Sequence, residues 1–188
     1  MSAPPDLPGV VRRAFDVSRR AGYVFFCRNE TGRLLATLAA TRSGTLAEVG
    51  TGTGVGTAWL RSGIRDDARI LTAELEPDLA DAAATIFADD DRVEVLAADW
   101  STLQDKGPFS LLFLDAGGPK DSGVDTVADL VEPGGLVVLD DFTPCSSWPP
   151  VFEGRVDVLR ERWLTDERFT TVEVMVAPDA SVLIATRR

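Results

Sequence analysis

Five short apolar runs, TLAEVG, RILTAEL, RVEVLAAD, FSLLFLDAG and LVVLDD, recur along the chain with helix-like segments between them. FSLLFLDAG stays apolar at successive positions, as suits a parallel strand covered on both faces, and LVVLDD reads as another buried strand. Between the five runs, VGTAWLRSG reads as a helix ending at Gly63, taken as its C-cap, and PDLADAAATIFADD as a helix opened by Pro77. GVDTVADLVEPGG reads as a helix that breaks at Pro133-Gly134-Gly135, and GRVDVLRERWL repeats Val156, Leu159 and Trp163 at helical spacing. Two more helices are expected before the first strand, over residues 7–20 and in ETGRLLATLAA. FTTVEVMVA and SVLIATRR, joined by Pro178-Asp179-Ala180, read as a hairpin. Such alternation leaves a doubly wound α/β fold: a mostly parallel sheet of about seven strands with a C-terminal antiparallel hairpin. No linker or repeat interrupts it, so residues 1–188 are expected to form one domain, with N-terminal helices over 1–42 and the core over 43–188.

Charge narrows the partners. The net charge of −11 argues against nucleic acid and anionic membrane, because phosphate binding needs clustered Lys and Arg. No stretch reaches the roughly 18 apolar residues of a membrane span, and MSAPPDLPGVVRR shows no signal-peptide pattern. Cys27 and Cys145 lie far apart without a CxxC, which reads as reduced thiols in a cytoplasmic protein. The chain has no histidine, which removes the commonest general base and transition-metal ligand.

In doubly wound sheets ligands bind beyond the carboxyl ends of the strands. Here every parallel strand closes on an acid: Glu48, Glu74, Asp99, Asp115 and the pair Asp140-Asp141. Any one of these alone reads equally well as a helix cap or loop carboxylate. The loop after the first strand, EVGTGTGVG, is not the dinucleotide GxGxxG, since Val55 or Thr57 stands at the third glycine position. Gly50, Gly52 and Gly54 let backbone approach a ligand, and the helix that follows offers free N–H groups to a carboxylate. Glu48 suits an ammonium group, directly or through water. Glu74 suits two ribose hydroxyls, Asp99 an adenine amino group, and Trp100 could cover the ring. Amino acid, ribose and adenine together describe S-adenosylmethionine.

These motifs resemble the class I S-adenosylmethionine-dependent methyltransferases, a Rossmann-like fold. More narrowly, NETGRLLATL, AEVGTGTG, ARILTAELEPDLA, FSLLFLDA, GGLVVLDD and the closing segment from Val151 resemble the cation-dependent O-methyltransferases of the catechol and caffeoyl-coenzyme A type. The resemblance implies methyl transfer to a small hydroxylated acceptor. Cofactor contacts would come from Glu48, Gly50, Thr51, Gly52, Gly54, Glu74, Leu75, Asp99, Trp100 and Asp115. A divalent cation, Mg²⁺ or else Ca²⁺ or Mn²⁺, would be held by Asp115, Asp140 and Asp141, with Asp115 and Asp140 catalytic. It also allows a homodimer.

The chain departs from that family at three points. Position 141 is Asp where the family has Asn. Lys120 stands five residues after Asp115, where the family's lysine base stands three after, so it reads as a base or as a solvated loop lysine. The segment from Phe142 to Arg155 is short for a substrate loop, and its Trp148 reads either as an acceptor wall or as packing on the closing helix. Two other functions stay open: a metal-independent small-molecule methyltransferase, and a cofactor-binding α/β domain without catalysis. A dehydrogenase is disfavoured by the broken GxGxxG.

Overall fold

The computed structural model describes residues 6–188, apart from the side chains of Pro119, Asp121 and Ser122. The reading of the extreme N-terminus falls partly on Met1–Pro5, outside the described residues. Two helices, α1 (Gly9–Ala21) and α2 (Asn29–Ala39), precede the sheet. Then follow β1 (Gly44–Val49), α3 (Val55–Gly63), β2 (Ala68–Glu74), α4 (Pro77–Phe87), β3 (Val93–Ala97), a 3₁₀ helix (Trp100–Lys106) and β4 (Phe109–Leu114). The rest comprises α5 (Gly117–Ser122), α6 (Val124–Ala128), β5 (Val131–Phe142), a small hairpin β6 (Val151–Phe152) and β7 (Arg155–Val156), α7 (Val158–Thr165), β8 (Phe169–Ala177) and β9 (Ala180–Arg187).

Seven strands form one sheet in the order β3-β2-β1-β4-β5-β9-β8. The first five are parallel, and β9 joins β5 antiparallel and carries β8 at the edge. The strand order therefore reverses between β1 and β4, where a ligand crevice is expected. Both faces of the central strands are buried, which explains the continuous apolar runs of β4 and β5, whereas the edge strand β3 is only partly covered. Leu46, Ile70, Leu111, Phe113 and Val138 pack under α1, α2, α3 and α4. Ala47, Leu71, Leu112, Val137 and Leu183 pack under α6 and α7 with Trp163. No helix among the described residues is long and apolar enough to cross a membrane.

The structure departs from the sequence reading in four places. The helix expected over GVDTVADLVEPGG stops at Ala128, and β5 already begins at Val131, paired with Phe109. The Phe109 amide donates to the Leu130 carbonyl at 2.7 Å, so pairing with β4 overrides the helical pattern. Gly63 is the last residue of α3 rather than its cap: a Cβ there would lie 2.0 Å from the Ala36 carbonyl oxygen, so this glycine lets α2 and α3 touch. The segment after Asp115, read as loop, contains the short helix α5. Finally, α7 starts at Val158, capped by Asp157, whose carboxylate accepts from the Arg160 amide at 3.0 Å, and Arg155-Val156 pair with Val151-Phe152 instead.

Candidate active site

At the switch point the ends of β1, β2, β4 and β5 open into a cavity of about 530 Å³. Gly50 and Gly52 of the glycine loop form its floor, and they and Gly54 all have left-handed backbone, with φ of 90°, 52° and 87°. Gly50 is required twice over: a Cβ on it would also lie 2.7 Å from the Asp115 carbonyl oxygen. Its amide donates to the Ala73 carbonyl at 3.0 Å, tying the loop to the end of β2. Glu74 lines the cavity, and its two carboxylate oxygens accept from the Gly52 amide at 2.7 Å and the Glu76 amide at 3.0 Å. Thr51, Leu75, Asp99, Trp100 and Asp115 also line it. Asp99 at the same time caps the 3₁₀ helix by accepting from the Ser101 amide at 2.9 Å, the ordinary role weighed for it above.

Glu48 is where the structure corrects the sequence. It does not line the cavity; it lies fully buried beneath the loop. One carboxylate oxygen accepts from the Thr57 hydroxyl and, at 2.8 Å, from the Thr72 hydroxyl. The other faces Gly56 and has no partner among the described residues. Burial, opposed by those two bonds and reinforced by the charge of Glu74, pushes its pKa up to about 7. The strand-end position that sequence assigned to a ligand contact instead supports the loop from below. Gly54, likewise, is not a lining residue; it opens α3 against Ile86 and Ala83 of α4.

At the other end of the cavity Asp115, Asp140 and Asp141 converge, each with a carboxylate oxygen within 4.8 Å of the others. Adjacent residues of a regular strand point to opposite faces, so Asp140 and Asp141 could not both face Asp115 from one. A β-bulge re-aims them: Leu139 pairs with Leu183 but Phe142 with Ser181, three steps on β5 against two on β9. Asp141 turns the corner with φ of 69°, a left-handed conformation that Asp and Asn tolerate best after glycine. Burial, then repulsion from Asp140 and Asp141, holds the Asp115 carboxyl well above the usual carboxylate range, and burial raises Asp140. An oxygen-only set whose members repel one another suits a hard divalent cation.

Lys120 is not a solvated loop residue. The turn of α5 folds it back so that its buried ammonium donates to the Asp140 carbonyl at 2.9 Å and to Asp141 Oδ2 at 3.1 Å. The five-residue spacing from Asp115 does not reveal this, because a helix of six residues carries no period in the sequence. Sequence reasoning also missed the wall formed by Tyr23, Val24, Phe25, Phe26, Cys27 and Arg28, between α1 and α2. Burial and the nearby charges of Glu74, Asp115 and Asp141 raise the Tyr23 phenol pKa. The available signal was an aromatic cluster, YVFF, in a segment with no helical or strand period. Trp148 is exposed and does not line the cavity.

Comparison with known proteins places this geometry. A family model described as a methyltransferase domain matches residues 47–142, just over half of the chain. A Mycobacterium bovis protein provisionally named as an O-methyltransferase is 35% identical over 144 residues, a match covering 71% of this chain and 61% of that protein. The chain thus spans less than two thirds of the length of the curated relatives it matches. An O-methyltransferase from Bacillus cereus, solved with SAH, superposes with a TM-score of 0.77 at 20% identity, over 97% of this chain and 93% of that one. The O-methyltransferase TomG from Streptomyces achromogenes, involved in tomaymycin synthesis and solved with SAM, also gives 0.77, at 21% identity over 97% and 92%. At such identities the likeness is one of fold.

Proposed function

The chain belongs to the methyltransferase-domain family, and from that premise we propose that it is an S-adenosylmethionine-dependent O-methyltransferase acting on a small hydroxylated acceptor with a divalent cation. The observation that carries the proposal is one cavity with two chemically distinct ends. The glycine loop and Glu74 occupy one, and Asp115, Asp140 and Asp141 the other. Backbone at Gly50, Thr51 and Gly52 would take the methionine part of the cofactor, Glu74 the ribose hydroxyls, and Asp99, Trp100 and Leu75 the adenosine edge. The names of the relatives support O-methylation.

Asp115, Asp140 and Asp141 would hold the cation, which when bound supplies Lewis acidity toward an acceptor hydroxyl. The protein's own task is placement. The new O–CH₃ bond forms as the S–CH₃ bond breaks, the sulfonium becomes a thioether, and the hydroxyl proton must leave. Lys120, whose ammonium is bonded to the Asp140 carbonyl and to Asp141, would hold those two groups in place, and the hydroxyl proton would leave to water. The wall from Tyr23 to Phe26 would offer aromatic surface against which a flat acceptor could be placed. One observation favours a metal-free variant of this reading: the Lys120 ammonium already gives Asp141 a positive partner.

The test is methyl transfer from labelled S-adenosylmethionine to a panel of ortho-diphenols, with and without EDTA. Product that vanishes with chelator and returns with Mg²⁺ is expected. Full-rate product in excess EDTA refutes the cation, and no product from the ortho-diphenols or from a wider panel of small alcohols and phenols, with a chain that binds S-adenosylhomocysteine, refutes the acceptor class.

A further inference from the structure

The bulge that aims Asp140 and Asp141 is closed from behind by a buried charge. Arg160 of α7 is 1% exposed. Its guanidinium donates to Asp157 at 3.1 Å and to Glu173 of β8 at 3.2 Å, and stacks over the Phe142 ring with its carbon 5.1 Å from the centroid. Glu173 in turn accepts from the Ser181 hydroxyl at 2.6 Å, and Ser181 is the cross-strand partner of Phe142. The contacts form a ring, Phe142 to Ser181 to Glu173 to Arg160 and back to Phe142, which shuts one residue beyond Asp141.

A left-handed backbone is unfavourable for any residue but glycine and persists at Asp141 only where its surroundings impose it. The chain entering position 141 is fixed by β4 and β9 through Leu139. The chain leaving it is fixed at Phe142, and Phe142 is held by this ring. A buried arginine with two carboxylate partners is also a costly device for packing alone, since an apolar replacement of the whole cluster is often as stable. We propose that Arg160 is a positioning residue: it clamps Phe142 so that the Asp140-Asp141 bulge keeps both carboxylates turned toward Asp115. Its consequence for a cation rests on the reading of that site given above, whereas its consequence for the backbone does not.

The test uses Arg160→Met and, in case that variant does not fold, Glu173→Gln, which weakens the ring while preserving its shape. Amide hydrogen exchange without metal should rise at least about tenfold at residues 140–142 and stay unchanged in the glycine loop. Mn²⁺ affinity, followed by electron paramagnetic resonance, should fall about 10- to 100-fold, as for other residues that orient metal ligands, while S-adenosylhomocysteine affinity changes less than about twofold. Arg160→Lys should restore part of the Mn²⁺ affinity. Unchanged exchange at 140–142 overturns the proposal, as does an equal loss of both affinities. A wild-type chain that binds no Mn²⁺ refutes the cation reading instead, and the exchange result still decides the clamp.

Discussion

Replacing Glu48 with Gln should make the protein more stable at alkaline pH and change how its stability depends on pH. Glu48 is fully buried, and its pKa rises from an ordinary 4.5 to about 7. A carboxyl with a raised folded-state pKa binds its proton more tightly folded than unfolded. Its stabilising contribution is therefore complete below about 4.5 and is lost as pH climbs toward 7. The full shift of 7 − 4.5 = 2.5 corresponds to about 3 kcal/mol, at 1.36 kcal/mol for each pKa unit. Gln keeps the shape and an oxygen to accept from Thr57 and Thr72, but does not titrate. Urea unfolding of both proteins between about pH 5 and about pH 8 should show the gap in unfolding free energy widening by about 2.5 kcal/mol in favour of Gln. Subtracting the two curves removes most of the contribution of Asp115 and Asp140, which titrate in both proteins. Two parallel curves would refute the argument, because they would mean that Glu48 stays ionised and solvated in the folded state.

Glu74→Ala should weaken S-adenosylhomocysteine binding at least about tenfold by calorimetry, since charge-assisted hydrogen bonds contribute roughly 1.5–3 kcal/mol. The loss combines the ribose contacts with that of the carboxylate that holds the Gly52 amide. Asp141→Asn should keep turnover within about tenfold, because Asn tolerates the φ of 69° and retains one oxygen donor. Asp141→Val should abolish turnover while leaving S-adenosylhomocysteine affinity within about twofold, because a β-branched residue resists that backbone and offers no ligand. Methyl-transfer kinetics beside calorimetry separate the two outcomes.

Much of this was legible in the sequence because the relevant information is local. The apolar runs FSLLFLDAG and LVVLDD mark strands whatever surrounds them, and parallel topology then brings Asp115 and Asp140 to the same end of the sheet. What escaped depends on contacts between distant segments. Lys120 reaches the acid cluster only because GGPKDS coils, a helix too short to show a period. Val131 is a strand residue because Phe109 captures the carbonyl just before it. Glu48 carries the strand-end signature of a ligand contact, yet Thr57 and Thr72 draw its carboxylate inward, and no spacing rule records that. The bulge at Asp140-Asp141 depends on the register with β9, forty residues later in the chain, although Asp at a left-handed corner is consistent with it.

The contact between Gly50 and the backbone of Asp115 makes the site a ruler as well as a container. The donor's cradle and the first acid of the acceptor's cradle meet main chain to main chain, with no side chain between them to flex. On the proposed chemistry, the spacing of β1 and β4 fixes the base from which the gap that the methyl group must cross is measured. A residue larger than glycine at position 50 would push the two halves apart, and reaction rate is far more sensitive than affinity to such a displacement. Donor and acceptor could then both bind, each in good order, and still fail to react.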